Sequence, residues 1–468
     1  MIHGLKPYPA YKDSDVPWLG QVPQHWEVRR LKNVCHLAYG DSLPTETRQV
    51  GQVAVFGSNG RVGFHTYANT RSPCIVIGRK GSFGKVNFSD NPVFAIDTTF
   101  FVDERFTKAN LRWLSYLLGW LRLDEVSKDS AVPGLSREDA YQRTMAYPTA
   151  VAEQDSIVRY LRHVDRQIRH YVCSKQRLIA LLNEQKQAII YQAVTRGLDP
   201  YVQLKPSGEA WLEDVPEHWV LARLKDVAVV QTGLTLGKNY QGMATESYPY
   251  LRVANVQHGR LDLTQIKHVN VPPRDAAGTT LKAGDVLMTE GGDIDKLGRG
   301  CVWHGEIPEC LHQNHIFAVR CDREVLLPEF LVGVISSRLG RTYFQITAKQ
   351  TTNLASTNSS TLRAFPIMFP PVSEQRAILE EVASQTTQLD AAISRTENEI
   401  ALSREFRVRL IADVVTGKLD VREAAAALPE EVKAPENIED GAALSEEDEE
   451  IEQVETGTEA EEELDADS

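Results

Sequence analysis

The sequence predicts an α+β chain: two pseudo-repeated β-rich globules, each followed by a long helix, with a disordered acidic tail at the end. Three observations predict it. First, "WLGQVPQHW" (Trp18–Trp26) returns as "WLEDVPEHW" (Trp211–Trp219), 193 positions later. The match extends to "WLGQVPQHWEVRRLKNV" against "WLEDVPEHWVLARLKDV", and Lys12 and Ser14 align with Lys205 and Ser207 at the same offset. Second, another repeat at offset 221 pairs Glu153-Gln154 with Glu374-Gln375, "IALLNEQKQAII" (Ile179–Ile190) with "IALSREFRVRLI" (Ile400–Ile411), and "VTRGLD" (Val194–Asp199) with "VTGKLD" (Val415–Asp420). Third, neither Pro nor Gly occurs in 155–196 or 374–416, so nothing interrupts a helix in either run.

The parts follow in order. Residues 1–151 form the first globule, 152–197 the first spacer helix, 198–372 the second globule, 373–420 the second spacer helix and 429–468 the acidic tail. Within the first globule, "GQVAVFGSNGRVGF", "CIVIGRKGSFGKVNF" and "PVFAIDTTFFV" alternate β-rich runs with Gly/Asn/Asp turns. "YPYLRVANVQHGRLDL", "GDVLMTEGG", "RGCVWHG" and "HIFAVRC" repeat that style without repeating its letters. Short helical stretches follow, "LRWLSYLLGWL" and "PEFLVGVISSRLG". In the first long helix, Ile157, Leu161, Val164, Ile168, Tyr171, Leu178, Leu182 and Ile189 mark an apolar seam with polar breaks at Lys175 and Gln185. In the second, Val382, Leu389 and Leu410 form one row, and Leu379, Ile393, Ile400 and Val414 the other. Such imperfect seams suit a helix pair with polar contacts. Gly197 and Gly417 stand at the expected stops.

Composition bounds the function. A 42% hydrophobic content suffices for real cores, and no apolar run reaches membrane-spanning length. Six scattered cysteines read as reduced thiols of a cytoplasmic protein rather than a disulfide framework. The net charge of −13 is concentrated at the end: residues 429–468 carry 18 acids and one Lys, which leaves 1–428 with 50 basic and 46 acidic residues, a net of +4. The tail is expected to self-repel and stay disordered. A nucleic-acid partner is compatible with +4 but not demanded by it.

The repeated opening phrases, the passages "VPGLSREDAYQRTMAYPTAVAEQ" (Val132–Gln154) and "FPIMFPPVSEQRAIL" (Phe365–Leu379), and the exit "VTGKLD" resemble the specificity subunit of a type I restriction–modification system. The resemblance covers residues 5–420; the tail is not part of it. It implies a non-catalytic chain whose two β-rich globules are target recognition domains. Each reads one part of a bipartite double-stranded DNA site. The two long helices are then antiparallel and set an unread spacer: roughly 40 residues extend about 60 Å, or about 18 base pairs including both half-sites. Implied partners are two adenine-N6 methyltransferase subunits and the motor-nuclease restriction subunits. S-adenosylmethionine, ATP and Mg are expected on those partners, and no cofactor or metal on this chain. The identical openings and endings then present one surface twice, while the middles differ because they read different bases.

Base reading in the major groove uses Arg/Lys for guanine, Asn/Gln for adenine, and hydroxyl or carboxylate side chains elsewhere. In the first half the candidates are Arg61 in "SNGRVG" and Arg79, Lys80, Ser82 and Lys85 in "GRKGSFGK". In the second they are Thr289, Glu290, Asp293, Lys296 and Arg299 in "TEGGDIDKLGR", Gln313 and Asn314 in "HQNH", and Lys349, Gln350 and Asn353 in "KQTTN". Ordinary basic turns are the competing explanation for each cluster. Catalysis in this chain is disfavoured. "NVPPR" and "DPYV" both lack the Asn/Asp-Pro-Pro-aromatic motif of an adenine methyltransferase, and "GRKGSFGKV" is not a P-loop. Cys301, His304, Cys310, His312 and His315 match no regular zinc spacing. The rival reading is a duplicated protein–protein adaptor without sequence-specific DNA binding.

Overall fold

The computed structural model describes residues 5–125, 134–208, 212, 214–238, 240–257, 259–292, 298–350 and 355–429. The acidic segment 430–468 lies outside them. Two compact units emerge, and they do not follow the linear halves. The first takes the chain through Gln176 and resumes at Glu397; the second runs from Arg177 to Thr396. Each unit therefore owns the start of one long helix and the end of the other.

In the first unit the strands are β1 (Glu27–Arg30), β2 (Ala38–Tyr39), β3 (Val53–Gly57), β4 (Gly60–His65), β5 (Cys74–Gly78), β6 (Val86–Ser89), β7 (Phe94–Ala95) and β8 (Thr99–Asp103). Helices α1 (Leu111–Trp120) and α2 (Arg137–Gln142), strand β9 (Thr144–Tyr147) and the long α3 (Val151–Arg196) follow. A four-stranded sheet has the order β2-β8-β5-β6, a three-stranded one the order β4-β3-β7, and β9 pairs with β1. The second unit uses β10 (Val220–Arg223), β11 (Ala228–Thr232), β12 (Glu246–Leu251), β13 (Lys267–Val271), β14 (Asp285–Thr289), β15 (Gly300–Val302), β16 (Leu311–His312) and β17 (Ile316–Cys321). Then come α4 (Pro328–Ser336), α5 (Arg338–Thr347), α6 (Ser359–Arg363), β18 (Pro366–Phe369) and α7 (Val372–Val415). Its sheets run β11-β17-β14-β15 and β13-β12-β16, with β10 paired to β18. For these strands the two topologies coincide, including the parallel pairs β3–β7 and β12–β16, and the second unit adds a small sheet of Gly291–Gly292, Ala355–Ser356 and Lys349–Gln350.

The shared topology shows why part of the sequence repeats. Gly40 and Gly233, also 193 apart, sit where a Cβ would fall 2.0 Å from the Ile96 carbonyl oxygen and 2.2 Å from that of His312. Both are close backbone approaches that join the two sheets of a unit and admit only glycine. The opening phrases supply core: Val22, Trp26 and Leu31 are buried in one unit, and Val215, Trp219 and Leu224 in the other. The first core adds Trp113, Leu114, Ile157, Leu161, Leu410 and Val414; the second adds Phe330, Leu331, Val194 and Ile378.

Antiparallel helix packing is visible inside each unit. In the first, Asp165 pairs with Arg407 and Lys175 with Glu399; in the second, Lys186 pairs with Asp390. Along α7 the expected rows hold, and Thr386, Thr396 and Ser403 complete them. Each of these hydroxyls bonds the carbonyl four residues back, at 2.8, 2.8 and 2.7 Å, so no hydroxyl is stranded. Along α3 the expected seam slips by one residue. Tyr171 and Leu178 are 40% exposed, while Val172 is buried and Ile179 half-buried. A 3.5-residue step from Ile168 falls between 171 and 172, and packing chose the latter. The polar break expected at Gln185 is taken by Lys186, whose ammonium meets Asp390 at 2.5 Å. Among the described residues, no helix is long and apolar enough to cross a membrane.

Candidate nucleic-acid interface

Two loops chosen from unrelated letters occupy the same place in the two units. Arg79–Lys85 closes the β5–β6 hairpin, and Glu290–Arg299 joins β14 to β15. In the first unit, glycines force the loop tight. Gly81 and Gly84 have φ of 73° and 81°, and a Cβ on Gly84 would sit 2.2 Å from the Asp124 nitrogen. The backbone N–H groups of Arg79 and Lys80 both donate to the Thr98 carbonyl, at 2.9 and 3.2 Å. The Arg79 guanidinium donates to the Asp97 carbonyl at 3.0 Å and lies over Tyr39 at 5.2 Å. Arg137, from α2, lies over the same ring at 4.8 Å.

The neighbouring turn is tied to this loop. Ser58 Oγ donates to the Thr98 carbonyl at 2.8 Å, and Lys85 Nζ donates to Asn59 Oδ1 at 2.9 Å. Arg61 follows, exposed, over the exposed Phe64 ring at 5.4 Å. The structure thus brings Arg61, Arg79, Lys80, Ser82 and Lys85 to one edge. Lys80 and Ser82 are exposed, whereas Lys85 is half-buried and committed to Asn59. Tyr39 and Arg137 belong to the same cluster, and no turn or repeat in the sequence marks them. They stand far from the loop in sequence, and only the pairing of β2 with β8 delivers Tyr39 there.

In the second unit Glu290 replaces Arg79. Its N–H donates to the His315 carbonyl at 2.8 Å, and its carboxylate meets His315 Nδ1 at 2.7 Å. Its carbonyl accepts from Thr357 N at 2.8 Å. Gly291–Gly292 pairs with Ala355–Ser356, which pairs with Lys349–Gln350. Three sequence clusters therefore converge here, and Lys349 is exposed. Arg299 is half-buried, its carbonyl taking the Thr289 N–H at 3.3 Å. Two candidates change character. Thr289 is 5% exposed within β14, so its side chain is core. Gln313 is half-buried and its Oε1 takes the Val253 N–H at 3.2 Å, so its carbonyl oxygen also holds the loop. Asn314 is half-buried beside His315 at 3.4 Å. Asp293, Lys296 and Asn353 lie outside the described residues.

Three of the five cysteines and histidines, Cys301, Cys310 and His312, are used by the fold, whereas His304 and His315 are exposed. Cys301 and Cys310 sit in an apolar cluster with Leu287 and Trp303, and burial pushes both thiols up to about 12. His312 is buried with Nδ1 2.9 Å from the Ile316 carbonyl, and burial pushes it down to about 4. Among the described residues, no group of three or more His, Cys, Asp or Glu is placed to hold a metal ion.

Between globule and helix, each half is closed by the same lock. Trp26 Nε1 donates to Glu153 at 3.0 Å, and His25 Nε2 meets the same carboxylate at 2.9 Å. Trp219 Nε1 donates to Glu374 at 3.1 Å, with His218 Nε2 at 2.9 Å. The adjoining Gln154 takes the Asn110 N–H and donates to the Pro148 carbonyl, both at 2.7 Å. Gln375 takes the Leu327 N–H at 2.9 Å and donates to the Pro370 carbonyl at 2.8 Å. The repeated His-Trp and Glu-Gln pairs therefore face each other. A large part of the repeat serves internal closure rather than an outside partner.

Comparison with known proteins agrees with this architecture. The family described as type I restriction modification DNA specificity domain matches residues 23–172 and 216–401. The type I restriction enzyme MjaX specificity subunit of Methanocaldococcus jannaschii is 26% identical over 205 residues, 43% of this chain and 47% of that one. The EcoKI specificity subunit of Escherichia coli is 26% identical over 213 residues, 44% of each chain. The matched stretch spans about half the length of these curated relatives. A chain solved in work on complex assembly and conformational transition of the type I R-M system has a TM-score of 0.56 at 14% identity, covering 84% of this chain and 98% of that one. Two family matches, one over each repeat and together covering most of the chain, show that it belongs to the type I restriction modification DNA specificity domain family.

Proposed function

We propose that this chain is the DNA-reading subunit of a type I restriction–modification complex, with one reading head per unit and a bipartite target. The observation that carries the proposal is the pair of equivalent hairpin loops with different chemistry. The first offers Arg79, Lys80 and Ser82 beside a Tyr39–Arg137 stack. The second offers Glu290–His315 beside Lys349. Equal positions with unequal donors and acceptors are what two heads need to read two different half-sites. Two methyltransferase subunits docked on the repeated surfaces hold S-adenosylmethionine and methylate adenine at N6. A motor-nuclease joins them with ATP and Mg. This chain itself does no chemistry.

Substituting Arg79→Ala tests the separation of the heads. Loss of one bidentate base contact is worth about 1–3 kcal/mol of discrimination. One half of the methylated motif should relax while the other stays fixed. A motif that is unchanged, or relaxed in both halves, contradicts the proposal.

A further inference from the structure

The lock explains the buried letters of the repeat but leaves exposed ones over. Both opening phrases carry Arg-Leu-Lys: Arg30-Leu31-Lys32 and Arg223-Leu224-Lys225. In each, the central Leu is buried and both cations are exposed. In the second unit Arg223 and Lys225 line an open cleft of ≈ 530 Å³ with Tyr343, Ser360, Arg363 and Ala364. Arg223 is anchored to the Ala364 carbonyl and Arg363 to the Val230 carbonyl, each at 3.1 Å, so the cleft is built and not merely lined by loose chains. None of these lining residues carries a carboxylate. In the first unit the Leu31 N–H donates to the Arg143 carbonyl at 2.9 Å, as the Leu224 N–H donates to the Phe365 carbonyl at 2.9 Å in the second, so both steps are pinned at the same point.

We propose that these two Arg-Leu-Lys steps grip DNA backbone phosphate, one in each unit. The proposal rests on the DNA-reading function above. Three observations favour phosphate over a protein surface. Two guanidinium forks, an ammonium and a Ser hydroxyl are donors suited to phosphate oxygens. The one large ring among the lining residues, Tyr343, is only 6% exposed, whereas the centre of a protein interface is rich in exposed apolar and aromatic side chains. It also stands beside the reading loop. Thr357 bonds Glu290, and Ser360 is three residues on, at most about 11 Å of chain. In the first unit the Leu135 N–H bonds the Arg79 carbonyl at 2.8 Å, just before α2, and α2 packs on the turn that carries Lys32. A backbone grip next to a base-reading loop fixes register without adding sequence information.

The test uses the full chain with its co-purifying partners. Fluorescence anisotropy measures affinity for a duplex bearing the methylated motif and for a scrambled duplex across a salt series. Each pair of substitutions, R30Q with K32Q and R223Q with K225Q, should make the log–log salt slope shallower by about 1.8, at ~0.9 per phosphate contact. Affinity for both duplexes should fall by one common factor, and the methylated motif should not change. Arg30→Lys and Arg223→Lys keep the charge and should keep the slope, which separates lost contact from lost fold. An unchanged slope, a loss confined to the motif-bearing duplex, or loss of the methyltransferase with the slope intact overturns the proposal. If the DNA-reading function itself were wrong, the unsubstituted chain would already fail to prefer its motif over the scrambled duplex.

Discussion

Glu153 accepts from Tyr8 at 3.0 Å as well as from Trp26 and His25, and its carboxylate is buried. Removing it leaves two buried donors without an acceptor, at roughly 1–3 kcal/mol each. Glu153→Ala should therefore lower stability by about 3 kcal/mol in urea unfolding. Glu374→Ala should cost less, about 1–2 kcal/mol. Its carboxylate is more open, and Tyr201, which stands where Tyr8 does in the repeat, is 90% exposed and gives it nothing. The repeated letters His-Trp and Glu-Gln were legible in the sequence, but their meeting was not. A repeat announces that residues matter twice; it does not say whether they face inward. His312 carries a pH prediction. Burial holds its imidazole at about 4, below an ordinary value of about 6.5. The unfolded chain thus takes up a proton between those values while the native state does not. Stability is complete above pH ~6.5 and falls as pH drops toward 4, by about 2 kcal/mol at pH ~5. Urea unfolding at two pH values should show this slope, and His312→Gln should flatten it.

At the scale of elements, the long helices were readable because their Pro-free, Gly-free runs are unambiguous. The seam of α3 was not, because a 3.5-residue repeat leaves a choice between neighbours wherever both are apolar, as at Tyr171-Val172 and Leu178-Ile179. Burial against the partner helix, not periodicity, decides. The helix ends make a sharper prediction. Gly197 and Gly417 both have positive φ, 74° and 80°. A Cβ on Gly197 would meet Glu374 and Trp219 at 3.3 and 3.4 Å, which small shifts relieve. On Gly417 it would fall 2.5 Å from Pro23 and 3.0 Å from Trp26, both held in a core. Gly197→Ala should cost about 1–2 kcal/mol from backbone strain alone. Gly417→Ala should cost about 3 kcal/mol or more, because overpacking adds to it. Thermal unfolding of the two variants ranks them.

For the whole molecule, the shared topology of the two globules was hidden because their sequences hardly agree between the shared opening and ending. What they share is backbone register, fixed by a few positions such as Gly40 and Gly233, while strand faces need only be apolar. The loops at their tips are then free to differ, and a fold kept while its loops change suits two heads reading two words. The candidate residues were found through residue type and glycine-rich turns. The structure converged most of them and withdrew Thr289 into the core. No rule turns loop letters into a DNA word, so the word must be measured. Single-molecule sequencing of N6-methyladenine in host DNA, with and without this gene, measures it. One split motif, two half-sites around a fixed unread gap, should lose its methylation when the gene is deleted. Methylation that persists unchanged at every such motif would contradict the reading of DNA by two heads.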